Sequence, residues 1–95
     1  MVTTEKLIQH LSGILGIKFE EVDSSNLYLQ GYDEKSKRLY LVFKPYKPGE
    51  MPKWVYQYKV NPIVYNNFLQ AESKGKFFSD IIKEYVICKS PLNLK

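Results

Sequence analysis

The spacing of the large apolar side chains changes along this chain, and that change limits the folds it can adopt. Period two, which is typical of β-strands, sorts residues 38–44 and 53–59 into faces. One face carries Leu39, Leu41 and Phe43 in the first segment and Trp54, Tyr56 and Tyr58 in the second. Residues 27–33 have a similar strand-like composition. From residue 62 onward the spacing becomes three or four residues, as it is in residues 4–15, which is typical of amphipathic helices. The sequence therefore predicts an α+β fold.

The connections between the strand segments predict an antiparallel sheet. "DEKSK" joins the first two segments and has the length and composition of a hairpin turn. "PYKPGEMP" precedes the third segment and predicts a long exposed loop, because it holds three prolines and a glycine. Residues 17–22 form either a short further strand or an extended linker. We therefore expect three or four antiparallel strands, packed against C-terminal helices, plus an N-terminal helix.

Two helices are predicted after the strands. Asn61 and Pro62 suit the cap and the first position of a helix, and Gly75 suits its end, so the first helix is expected over residues 61–75. The second is expected over residues 77–87, before a short tail at 90–95.

Charge is distributed unevenly along the 95 residues, whose formal net charge is +4. Up to Glu34 there are six acidic residues against two basic ones, whereas from Lys35 onward there are twelve basic residues against four acidic ones. Such a basic region favours anionic partners. Arg38 is the only arginine, which disfavours bidentate reading of base edges but leaves attraction to phosphate open.

The sequence lacks the motifs that are typical of several classes of protein. It has no apolar stretch of membrane-spanning length and no signal peptide pattern, so we expect a cytoplasmic protein. One cysteine, Cys88, and one histidine, His10, do not suffice for a disulfide or a zinc site, and we expect Cys88 to be a small core residue. No nucleophile elbow or glycine-rich phosphate loop occurs. The sequence thus predicts a non-catalytic protein without a cofactor or a metal.

The segment "KWVYQYKV", residues 53–60, places three aromatic rings at every second position between lysines. The rings of Trp54, Tyr56 and Tyr58 could fill a core beneath the helices, or they could offer a surface on which bases stack. We expect Trp54 and one of the tyrosines to be core residues. Further along, "SKGK" at residues 73–76 lies at a helix junction, where it could hold a phosphate or simply end a helix.

Several motifs follow one another in a specific order over residues 23–89. They are "GYDEKSKRLYLVF" at 31–43, a Y-x-Y at 56–58, "VNPIVYNNFLQAESKGKFF" at 60–78 and "IIKEYV" at 81–86. This combination resembles the KTSC domain, a short module found at the C-terminus of some lysyl-tRNA synthetases and as a stand-alone protein of bacteria and phages. Residues 1–22 lie outside the resemblance, and the loop before the Y-x-Y is longer than is usual in the family.

The resemblance implies RNA binding, because the module is associated with a tRNA synthetase. A sheet that carries aromatic rings and lysines suits a single-stranded nucleic acid or a nucleotide. An alternative is a protein-binding module, phage- or mobile-element-encoded, that docks on a host protein through "PYKPGEMPKW" and exposed apolar residues. The residues predicted to bind nucleic acid are Arg38, Tyr56, Tyr58, Lys59, Ser73, Lys74, Gly75 and Lys76.

Overall fold

The computed structural model describes residues 4–45, 47 and 50–92. Within these ranges no helix has the length and apolar character needed to cross a membrane. The secondary structure elements are α1 (Thr4–Leu15), β1 (Phe19–Glu21), β2 (Leu27–Asp33), β3 (Arg38–Phe43), β4 (Trp54–Lys59), α2 (Pro62–Gln70), α3 (Lys74–Asp80), a 3₁₀ turn (Ile82–Tyr85) and β5 (Val86–Pro91).

In the described residues five strands form one antiparallel sheet in the order β1-β2-β3-β4-β5. Each strand pairs with the one before it, from Phe19 opposite Gly31 at one edge to Val55 opposite Ser90 at the other. The predicted α+β fold with an antiparallel sheet is therefore confirmed, but the strand number of three or four is too low. The additional strand is β5, since residues 19–21 had been expected to form either a strand or a linker.

Helices cover both faces of this sheet. One face, here called the α1 face, packs against α1 through Leu7 and Leu11. The opposite face, here called the C-terminal face, packs against α2, α3 and the 3₁₀ turn. The buried residues of the α1 face are Leu7, Leu11, Phe19, Leu29, Tyr40, Val42 and Val55. Those of the C-terminal face are Val22, Leu27, Leu39, Leu41, Tyr58, Val60, Phe68 and Ile82.

A register shift in β2 lets two nearby leucines serve different cores. Leu27 is opposite Phe43 and Leu29 is opposite Val42, so β2 holds one extra residue between them. Side chains two apart in a regular strand share a face. Because of the shift, Leu27 packs on the C-terminal face whereas Leu29 packs on the α1 face.

The C-terminal third differs from the prediction. Asn61 caps α2 as expected, accepting a hydrogen bond from the N–H of Val64, but α2 ends at Gln70 rather than near Gly75. The expected helix over residues 77–87 is divided among α3, the 3₁₀ turn and β5, and the first two residues of the expected tail belong to β5. Cys88 lies in β5 with an exposed side chain, so its placement in the core is wrong.

Candidate functional site: an aromatic cleft between diverging strands

Strands β3 and β4 separate before either of them ends. Their pairing runs from Arg38–Lys59 to Leu41–Tyr56 and stops there, although β3 continues to Phe43 and β4 begins at Trp54. Beyond that point β3 stays paired with β2, and β4 stays paired with β5. The separation leaves a cleft of about 530 Å³, within the size range of ligand sites.

Aromatic rings form part of the wall of this cleft, which we call the aromatic cleft, and the loop residues Pro45, Met51 and Pro52 form another part. Phe43 and Tyr56 meet edge to face with ring centroids 5.3 Å apart. Phe78, from α3, contacts Phe43 at 5.1 Å and Tyr58 at 5.4 Å, again edge to face. Trp54 lies at the same cleft and is 39% exposed. The cleft thus offers flat apolar surfaces that are partly open to solvent.

Lysines surround the aromatic cleft. Lys44 follows β3, Lys53 precedes β4, and both line the cleft together with one acidic residue, Glu50. The ammonium of Lys89, from β5, lies 4.4 Å from the ring centroid of Trp54. This distance is within the range of a cation–π contact. Positive charge therefore exceeds negative charge around the aromatic rings.

Tyr58 lines the aromatic cleft but is only 3% exposed. Burial raises the pKa of its phenol above the ordinary value of 10.0, and the neighbouring Tyr56 raises it further. The phenol is therefore neutral at physiological pH. No hydrogen bond joins its hydroxyl to another residue in the described part of the chain, whereas its ring is held between Tyr56 and Phe78.

The structure answers the question raised by the three alternating rings. The expectation that one tyrosine is a core residue is confirmed by Tyr58, which pairs with Leu39 in the sheet. The expectation that Trp54 is a core residue is wrong, because Trp54 lies beyond the last β3–β4 pair and its side chain is partly exposed. Tyr56 is half-buried between these extremes.

Two of the predicted binding residues lie away from the cleft. Arg38 and Lys59 form the first pair of the β3–β4 ladder, at the end opposite to the cleft. The guanidinium of Arg38 donates a hydrogen bond of 2.9 Å to the side chain of Gln57, and Lys59 donates one of 3.1 Å to the backbone carbonyl of Ser36. The structure therefore does not bring Arg38 and Lys59 together with Tyr56.

The "SKGK" segment begins a helix rather than ending one. The hydroxyl of Ser73 accepts a hydrogen bond from the N–H of Lys76 and caps α3. Gly75 lies against the turn before β2, since a Cβ at this position would be 2.5 Å from the side-chain oxygen of Asn26. The ammonium of Lys74 lies 3.5 Å from the carbonyl of Ala71. These contacts give the motif a structural role in docking α3.

The same turn links α3 to the rim of the cleft. The ammonium of Lys44 donates a hydrogen bond to the carbonyl of Ser24, and the Ser24 hydroxyl lies close to Gly75 as well. Phe78, one turn of α3 further on, is part of the cleft wall. Ser73, Lys74, Gly75 and Lys76 are thus adjacent to the Lys44 side of the cleft without lining it.

Several cleft residues were not among those predicted to bind nucleic acid, although Lys53 lies in the segment "PYKPGEMPKW" predicted to dock on a protein. Lys44 and Lys53 flank the proline-rich loop, and that position is a signal that could have suggested a shared rim. Phe43 and Phe78 are ordinary members of apolar patterns, and Lys89 lies in a strand that was not expected. Their proximity follows only from the pairing of β4 with β5 and from the packing of α3.

The chain is similar to known proteins of one family. The KTSC domain model matches residues 23–85, about two thirds of the sequence. The chain belongs to the KTSC domain family. A crystal structure of a KTSC domain protein from Yersinia pestis is similar to it, with a TM-score of 0.64 and 28% identity, over 81% of this chain and 99% of that one. No curated protein sequence matches.

The residues that line the cleft lie within the part of the chain that the KTSC domain model matches. Phe43, Tyr56, Tyr58 and Phe78 lie inside the matched residues of this KTSC domain, whereas Lys89 and all of β5 follow them. Helix α1 and strand β1 precede the match. In the described part of the chain, no three or more His, Cys, Asp or Glu side chains are grouped so as to hold a metal ion.

Proposed function

We propose that this KTSC domain is a non-catalytic, cytoplasmic module that binds single-stranded RNA, with a base in the aromatic cleft and phosphates near its lysines. The observation that carries the proposal is the exposed Trp54 ring, with the Lys89 ammonium 4.4 Å from its centroid, at the mouth of a cleft lined by further aromatic residues. Stacking on aromatic rings and attraction of phosphates to lysines are the two main contributions to single-strand binding.

The charges at the cleft support an anionic ligand over a cationic one. Aromatic walls alone would also suit a quaternary ammonium group. Three lysines against Glu50 make the cleft unfavourable for such a cation and favourable for a phosphate-bearing ligand. The scarcity of arginine is consistent with binding that depends weakly on sequence.

Substitution of Trp54 tests the proposal. Trp54→Ala should weaken binding to a short single-stranded RNA by about 5- to 150-fold, because stacking contributes about 1–3 kcal/mol per base. Fluorescence anisotropy with labelled oligonucleotides measures the change. The matched control is Tyr85→Ala, which removes a ring that is 49% exposed but does not line the cleft. Equal affinity of the wild type and both variants would contradict the proposal.

A second candidate is the binding of a protein. Four apolar residues near the junction of the 3₁₀ turn and β5 are exposed, and they favour this alternative. They are Ile81, Tyr85, Val86 and Ile87, with exposures of 38–54%. Tyr46, Pro48 and Gly49 of the loop that was predicted to dock lie outside the described residues. Failure to bind RNA at low salt, together with pull-down of one host protein that Val86→Asp abolishes, would favour this function.

A further inference from the structure

The direction of the backbone groups at the cleft follows from the β3–β4 ladder. The N–H of Val60 donates a hydrogen bond of 3.0 Å to the carbonyl of Lys37, so this pair is a hydrogen-bonded one. Hydrogen-bonded and non-hydrogen-bonded pairs alternate in an antiparallel ladder. Leu39–Tyr58 lies two positions along the ladder from Lys37–Val60 and is therefore hydrogen-bonded too. The last pair, Leu41–Tyr56, lies two positions further and is hydrogen-bonded as well.

Continuing the alternation reaches Phe43 and Trp54. Their backbone N–H and C=O groups point toward the space between β3 and β4, as those of Leu41 and Tyr56 do. Hydrogen bonds of the adjacent residues, Lys44 and Lys53, support this direction because they point the opposite way, toward β2 and β5. The N–H of Lys44 bonds the carbonyl of Asn26 next to β2, and the N–H of Leu92 bonds the carbonyl of Lys53 next to β5, each at 2.8 Å.

Phe43 and Trp54 are not paired with each other, because the ladder stops at Leu41–Tyr56. Both residues line the aromatic cleft, and we infer that their backbone groups form its floor where the strands diverge. Side chains stand roughly perpendicular to a sheet. A flat ligand that lies against the rings of Trp54 and Tyr56 would thus present its edge to this floor.

We propose, building on the proposed RNA-binding function, that the backbone groups of Phe43 and Trp54 hydrogen-bond the Watson–Crick edge of one base held in the cleft. A strand residue offers a donor and an acceptor side by side, and each base carries donors and acceptors on that edge. An extended peptide fits less well, since it needs a row of unpaired residues along one strand, and within β3 (Arg38–Phe43) and β4 (Trp54–Lys59) the alternation leaves one such residue on each strand.

Nuclear magnetic resonance of the full ¹⁵N-labelled chain tests the proposal. Titration with uridine 5′-monophosphate should shift the backbone amide signals of Phe43 and Trp54. Ribose 5-phosphate, which keeps the phosphate but lacks the base, should leave these two signals in place. The 5′-monophosphate of 3-methyluridine keeps the ring but blocks its edge, and it should bind about tenfold more weakly because it leaves the floor groups without partners.

The outcomes separate this inference from the function on which it rests. Equal binding of the methylated and unmethylated nucleotides, with no shift at the two amides, would overturn the edge recognition while leaving RNA binding intact. If neither the nucleotides nor a single-stranded RNA bind, the proposed function itself is wrong. Shifts at both amides with an acidic extended peptide, and none with nucleotides, would assign the floor to a protein partner and overturn both.

Discussion

Gly75 is closely packed whereas Gly13 has open space around it, so substituting each by alanine measures the effect of close packing on stability. Gly75 lies in α3 against Asn26, and an added Cβ would be 2.5 Å from the Asn26 side-chain oxygen. Gly75→Ala gains helix propensity but forces this contact apart, and overpacking of this kind costs about 1–3 kcal/mol. We expect a net loss of about 1 kcal/mol in the free energy of unfolding, measured by urea denaturation.

Gly13 is the matched control for that substitution. It lies in α1 and has no heavy atom within 4 Å of an added Cβ. Gly13→Ala should therefore stabilise the protein by up to about 1 kcal/mol, because only the helix propensity changes. Stabilisation by both substitutions would show that the Asn26 side chain moves away from Gly75 at no cost. Adding Asn26→Ala to Gly75→Ala should restore the lost stability.

The buried phenol of Tyr58 gives stability a dependence on pH. Its pKa is raised in the folded protein above the ordinary value of 10.0. The unfolded chain therefore releases this proton first, so the stabilisation is fully present below pH 10 and is lost as the pH rises above it. Tyr58→Phe should lessen the loss of unfolding free energy between pH 9 and pH 11, as measured by urea denaturation.

Other tyrosines also contribute to the loss of unfolding free energy at high pH, so Tyr58→Phe should remove only part of that loss. Tyr32, Tyr40 and Tyr65 also have raised pKa values, chiefly through burial, and they remain in the Tyr58→Phe variant. At pH 8 the variant and the wild type should differ by less than about 0.5 kcal/mol, because the hydroxyl bonds no other described residue. An unchanged pH profile in Tyr58→Phe would contradict the assigned burial.

Helix α1 contributes buried side chains to the core although it lies outside the residues that the family model matches. Leu11 is 2% exposed and packs on the α1 face, whereas Ile14, three residues later, is 65% exposed. Leu11→Ala should reduce the unfolding free energy by about 2–5 kcal/mol, as cavity-forming substitutions do. Ile14→Ala should change it by less than about 0.5 kcal/mol. Equal small effects would mean that α1 is dispensable for the fold.

The elements differ in how well the sequence predicts them, and burial explains the difference. The range of α1 follows from one periodic apolar stripe that is buried, and the ranges of β2, β3 and β4 follow from apolar runs that are buried on both faces of the sheet. Strand β5 lacks such a pattern because its residues are almost all exposed on both faces. Its strand conformation depends on pairing with β4, a long-range contact that no local pattern records.

The candidate site was predictable only in part, for a similar reason. The Y-x-Y pattern identified Tyr56, which lines the cleft, but it could not separate buried Tyr58 from exposed Trp54. Their difference depends on where the β3–β4 pairing stops, and two equally alternating strands contain no signal for that position. The charge of the "SKGK" motif suggests an anion site, whereas its contacts are those of a helix cap and a close approach to Asn26.

For the whole molecule, the excess of positive charge predicts salt-dependent binding. If a single-stranded RNA contacts two or three phosphates near Lys44, Lys53 and Lys89, the logarithm of its association constant should fall with the logarithm of salt concentration. The expected slope is about −1.4 to −2.1, from a slope of about −0.7 per phosphate. Lys89→Gln should reduce the slope by about 0.7, whereas Lys35→Gln, at the far hairpin, should not.

The separation of β3 from β4 also has a mechanical consequence. At that end no backbone pairing joins β3 to β4 among the described residues, because Phe43 pairs with β2 and Trp54 pairs with β5. A molecule hydrogen-bonded to both Phe43 and Trp54 would link β3 to β4 at this end and restrict the motion of the two strands relative to each other. Occupancy should therefore slow hydrogen exchange and raise the melting temperature, with the strongest protection at the ends of the sheet farthest from the β2–β3 hairpin.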